Sequence, residues 1–142
     1  MASVEIINNF DIGALDDRTR GALKDAVTDV TLDLLATARG VAPHYEGDLE
    51  KGINEEIIAS PTEITGLIGV RAIGGNGFDY GILRHDHPFK LGEGSLNKGS
   101  GGSPMFGDTF SVGYGFISRP AEALQDEYLK YIQAEFNKAL EG

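Results

Sequence analysis

The sequence predicts an α+β domain: two helices packed against an antiparallel sheet of about 3–5 strands, with one long Gly/Ser-rich loop. Three observations carry that expectation. Apolar residues recur at three- and four-residue steps near each end of the chain. Between them, two runs alternate with a period of two and are joined by a short turn. Glycine and serine then crowd a later stretch that offers little to bury.

In chain order, Ser3–Phe10 reads as a short strand or extended arm, with Val4 and Ile6 on one side, so an arm is allowed over residues 1–12. From about Asp16 to Arg39, Leu23, Ala26, Val27, Val30, Leu34, Leu35 and Ala38 trace one helical face. Asp11, Asp16 and Asp17 are candidate caps, Arg39 complements the helix dipole at the far end, and Gly40 is placed to close the helix. The hinge VAPHYEGDLEKGI follows. Pro43 cannot continue a helix and pushes Ala42 towards an extended conformation; Gly47 supplies a turn, and Leu49 and Ile53 are apolar anchors. Ile53–Ala59 and Ile64–Val70 form the hairpin, turning through Ser60-Pro61-Thr62-Glu63.

Residues 71–78 read as a loop, and Asp79–Leu83 as a third short strand. Residues 92–107 hold six glycines and three serines. Ordering them costs much backbone entropy, so a flexible loop is expected. Thr109–Phe116 resumes alternation, with Phe110, Val112, Tyr114 and Phe116 on one side. The second helix starts with Ser118 as N-cap and Pro120 in the first turn, and runs through Leu124, Tyr128, Ile132 and Phe136 to about Leu140.

A chain of 142 residues fits one domain. It has no cysteine, hence no disulfide and no thiolate nucleophile. Neither a signal-peptide pattern nor an apolar run of roughly 20 residues is present, so no membrane contact is expected and the cytoplasm is the simplest location. The net charge of −10 argues against gripping nucleic acid, because only 12 basic residues stand against 22 acidic ones. An acidic wall past which DNA slides remains compatible with it.

Catalytic signatures are missing: no Gly-x-Ser-x-Gly elbow and no phosphate loop ending in Gly-Lys-Ser/Thr. The one cluster with a chemical look is Arg84-His85-Asp86-His87. On an extended chain His85 and His87 would share a side, and His44 or an acidic residue could complete a metal site. A small metal-dependent hydrolase using these three histidines is therefore the alternative of a different class. The favoured expectation is no enzyme, no cofactor and no metal.

Ala42-Pro43-x-x-x-Gly47-x-Leu49 after a helix, then a hairpin, then Tyr80-Gly-Ile-Leu-Arg84-His85, then Gly115-Phe116-Ile117-x-x-Pro120-Ala121 opening a last helix, together resemble the tail-completion and head–tail joining proteins of long-tailed phages. These are also called neck or minor capsid proteins. The resemblance spans residues 17–140, with Glu46 in place of the family's usual threonine and Gly81 in place of alanine after Tyr80.

The resemblance implies a non-enzymatic virion component, made in the host cytoplasm and placed at the head–tail junction. It implies a ring of identical subunits, six- or twelve-fold, that touches connector or adaptor proteins and the tail terminator or tail tube while DNA passes without specific binding. A related role as a tail terminator or connector adaptor is the nearest variant. Exposure and loop position then nominate Tyr80, Arg84, His85, His87, Phe89, Met105 and Phe106 as subunit-contact residues. The loop over 92–107 and the N-terminal arm are expected to order on joining the ring.

Overall fold

The computed structural model describes residues 3–7, 15–44, 47–73 and 77–141. Its order is β1 (Ser3–Ile7), α1 (Asp17–Val41), α2 (Asp48–Lys51), β2 (Ile53–Ala59), β3 (Ile64–Val70), α3 (Tyr80–Asp86), α4 (Glu93–Lys98), β4 (Ser100–Gly102), β5 (Thr109–Ser111) and α5 (Ser118–Glu141). The fold is α+β. Three strands form one antiparallel sheet in the order β1-β3-β2, and β4 and β5 form a separate pair.

Helix α1 is the centre of the molecule. Asp16 caps it, its side chain accepting from the Thr19 amide at 2.7 Å; the hydrogen bond from the Thr19 side chain, followed by that from its amide, holds the Asp16 carboxyl below its ordinary pKa. Leu23, Val27, Val30, Leu34, Ala38 and Val41 are fully buried. They meet β2 and β3 on one side, while α5 lies along another side of α1 and reaches the sheet through it. Gly66 of β3 comes so close to α1 that a β-carbon there would overlap the Thr31 hydroxyl. The strands of the hairpin have the expected bounds, with Ile53 opposite Val70 and Ala59 opposite Ile64. The central strand β3 buries Ile64, Ile68 and Val70 on the face that it turns to α1.

Helix α5 pairs antiparallel with α1. Arg18 reaches the Ala139 carbonyl at one end, Tyr131 donates to Asp29 in the middle, and Tyr128 donates to Asp33 further along. Phe116 and Ile117, just before α5, are fully buried and close the core beneath its first turn.

Several expectations are corrected. Asp79–Leu83 does not extend; Asp79 caps a helix there, accepting from the Gly81 amide at 2.9 Å and from the Ala72 amide at 3.0 Å. Residues 92–107 are not a bare loop, because they carry α4 and β4. Gly40 does not close α1 in a left-handed turn: α1 runs through it to Val41 and ends at Ala42, whose backbone is extended. Gly40 is small for another reason. Gly101 of β4 packs on it so closely that a β-carbon on Gly101 would overlap the Gly40 backbone.

The strand expected over Thr109–Phe116 stops at Ser111, and Tyr114 is exposed while Phe116 is buried. Ser118 stands inside the first turn of α5 rather than before it, since Arg119 already donates to the Gly115 carbonyl. The third strand of the sheet is β1, which uses residues 3–7 of the expected arm; residues 1–2 and 8–12 of that arm, with the candidate cap Asp11, lie outside the described residues. Among the described residues, no helix is long and apolar enough to cross a membrane.

Candidate functional site: a groove at the α1 corner

The hinge after α1 is fixed by four sets of bonds. The Arg39 guanidinium donates twice to the Ile53 carbonyl, at 2.7 and 3.1 Å, tying the end of α1 to the start of β2. Lys98 at the end of α4 donates to the Arg39 and Ala42 carbonyls, both at 2.7 Å, and so satisfies the last turn of α1. It also pairs with Glu50 at 3.4 Å. Burial holds the Lys98 ammonium below its ordinary pKa, and Glu50 opposes that shift. The His44 amide donates to Ser95 Oγ at 2.9 Å, and His44 Nδ1 lies 2.7 Å from Glu50. Gly47 takes φ of +81° to start α2, which buries Leu49. Glu46 is outside the described residues.

Against this corner lies a groove of about 560 Å³ whose walls include Pro43, Leu49, Tyr80, Arg84, Phe89 and Lys90. Arg84 leaves α3 and places its guanidinium 4.6 Å from the centre of the Phe89 ring, a cation–π stack that holds both side chains on the wall. Aromatic faces and cations on a partly apolar floor suit a protein segment with apolar and acidic groups.

The seven nominated contact residues do not form one surface. Tyr80, Arg84 and Phe89 share the groove. His85 is buried: Nδ1 lies 2.8 Å from Asp86 Oδ1, Nε2 accepts from the Ser118 amide at 3.3 Å, and the ring meets Phe116 edge-on at 5.0 Å. His87 is exposed and ends α3. Met105 and Phe106 pack on the core, and Phe106 tilts against Tyr128.

The metal reading needed an extended chain with His85 and His87 side by side. A helix takes them off one side, and both ring nitrogens of His85 are engaged elsewhere. Among the described residues, no three His, Asp or Glu side chains converge on a point.

The sequence reading missed Asp33. This α1 carboxylate is only 3% exposed, yet it sits among core residues and gathers three donors. Tyr128 donates to Oδ2 at 2.6 Å, Ser103 to Oδ2 at 2.7 Å and the Met105 amide to Oδ1 at 2.8 Å. It binds the glycine-rich segment and α5 to α1 at one point. Burial, followed by the bond to Asp33, pushes the Tyr128 hydroxyl far above its ordinary pKa. The available signal is the Leu32-Asp33-Leu34-Leu35 order, which sets an acid among the closely spaced leucines of α1.

Compared with family models, with curated proteins and with solved structures, the chain matches none.

Proposed function

We propose that this chain is a structural protein of the neck or tail-completion type in a long-tailed phage, forming a ring that joins the DNA-filled head to the tail. One observation supports the reading most. Residues that carry the resemblance from separate parts of the sequence, Pro43 and Leu49 at the hinge with Tyr80 and Arg84 beyond the hairpin, converge on a single groove. A motif serving only as a chain corner has no reason to share a wall with residues of a later helix. Pro120 and Ala121 likewise sit in the first turn of the last helix, as the resemblance implies. Tyr80 opens a helix rather than a strand, a departure from the family's pattern.

The acidity of the chain fits the role. With a net charge of −10, a ring would present a surface along which DNA moves without sticking. Its partners would be further copies of itself, the connector or adaptor above and the tail terminator or tube below.

The test is deletion of the gene from the parent phage, followed by electron microscopy of the lysate. Separate DNA-filled heads and free tails are expected. Intact joined particles would overturn the reading.

A further inference from the structure

The groove reverses the sign of the molecule around it. The chain is acidic overall, yet Arg84 and Lys90 stand exposed on the groove wall. Asp48 shares that wall, but among the described residues no carboxylate lies within ion-pair distance of either cation. The complement is found elsewhere on the same chain. From Ile53 to Val70 there is no lysine or arginine, while Glu55, Glu56 and Glu63 are all exposed. On the hairpin, Ile58 is 46% exposed, and with Leu67, Thr65 and Glu63 it lines a shallow apolar depression.

The hairpin tip is also rigid. Ser60 Oγ accepts from the Thr62 and Glu63 amides at 3.3 and 3.0 Å, and the Ser60 amide donates to the Glu63 carbonyl at 2.8 Å. A preformed tip loses little conformational freedom on docking. It cannot enter its own groove: β2 leaves the corner at Ile53, where Arg39 grips it, and a seven-residue strand carries the tip about 20 Å away.

We infer that the groove receives the β2–β3 hairpin tip of a second copy of this chain, with Glu56 and Glu63 facing Arg84 and Lys90 and Ile58 and Pro61 lying on Phe89 and Tyr80. The two patches differ, so the contact is heterologous and repeats from subunit to subunit until it closes a ring. This inference rests on the ring reading above and names the surfaces the ring would use.

Reciprocal charge reversal in the full chain tests it, with the assembled mass read by native mass spectrometry and sedimentation velocity at high micromolar concentration. The wild-type chain should assemble, less so in high salt. R84E/K90E and E56K/E63K should each weaken association by about tenfold or more, and the four changes together should restore it. These residues are exposed, and circular dichroism is the check that each variant is folded.

A wild-type chain that stays monomeric overturns the inference and hands the groove to an acidic segment of another protein. An assembly that ignores the reversals, or that the combined variant fails to restore, also overturns it, while the ring reading survives. Joined particles from the gene deletion would remove the neck role and leave a demonstrated contact standing.

Discussion

The Tyr128 hydroxyl donates to Asp33 Oδ2 across the α1–α5 interface at 2.6 Å, and that oxygen also accepts from Ser103. Two helices far apart in sequence and a glycine-rich segment thus meet on one buried carboxylate. Three donors and, among the described residues, no ion-paired cation surround it, so its place depends on all three bonds.

Tyr128→Phe keeps the ring packing on Phe106 and removes one bond to the carboxylate. A loss of about 2 kcal/mol is expected, the usual worth of a hydrogen bond to a charged group. Asp33→Ala leaves three donors facing a void and should cost more, about 3–4 kcal/mol. Urea denaturation measures both, and a double-mutant cycle with Ser103→Ala should show coupling. Equal losses for Asp33→Ala and an exposed control such as Asp25→Ala would remove Asp33 from this role.

Alkaline pH should loosen the same interface. The bond to Asp29 raises the Tyr131 hydroxyl to about 12, and burial raises Tyr128 further. A tyrosine whose folded pKa lies above its unfolded value of about 10 contributes stability that is complete below pH 10 and is lost as pH rises through the folded value. Stability should therefore fall between about pH 10 and pH 12, and Tyr131→Phe should flatten the slope. Denaturation midpoints from pH 8 to pH 12 read this. An unchanged slope in Tyr131→Phe would place the loss elsewhere.

Gly101→Ala is the sharpest steric test of how β4 sits on α1. Its β-carbon would overlap the Gly40 backbone, which cannot move without opening the end of α1. A cost of about 1–3 kcal/mol is expected. Gly92→Ala, where nothing lies nearby, should leave the melting temperature essentially unchanged. Equal melting temperatures for the two variants would separate β4 from α1.

Much of this architecture is legible in the sequence, and the exceptions have physical causes. The hairpin and the two long helices carry their periods over enough residues to tell 2 from 3.6. In α3 only seven residues were available, and Tyr80, Ile82 and Leu83 suit either period; the deciding signal was Asp79 as a cap. For the 92–107 stretch the local sequence offers only the entropy of its glycines. Its partners on α1 and in the turn just after it, Asp33, Arg39, Ala42 and His44, all lie more than 50 residues earlier, beyond the reach of a local pattern. The Arg84–Phe89 stack needed the turn after α3 to be known. That Tyr80 would share a wall with Pro43 could not be read from either segment alone.

Hydrogen exchange on the free chain follows from that closure. The Ser103 amide donates to the Asp108 carbonyl, Gly107 to Ser103, Val112 to Gly99 and Met105 to Asp33. These amides should exchange slowly in the unassembled protein, at rates close to those of α1. Random-coil exchange over 99–107 would instead return this segment to the class that orders only on joining a ring.

His85 separates a structural histidine from a ligand. Its Nε2 accepts from the Ser118 amide at the start of α5, and its ring edge packs on Phe116. Replacing it by Ala leaves a half-buried amide without its partner and a void beside a fully buried phenylalanine, which should cost about 2–3 kcal/mol. Zinc titration followed by calorimetry gives the opposing readout. Wild type and His85→Ala should bind zinc equally weakly and without defined stoichiometry, while differing clearly in melting temperature. One zinc per chain in wild type, lost in His85→Ala, would mean that the histidine turns away from Ser118 to bind metal, and the hydrolase reading would then replace the structural one.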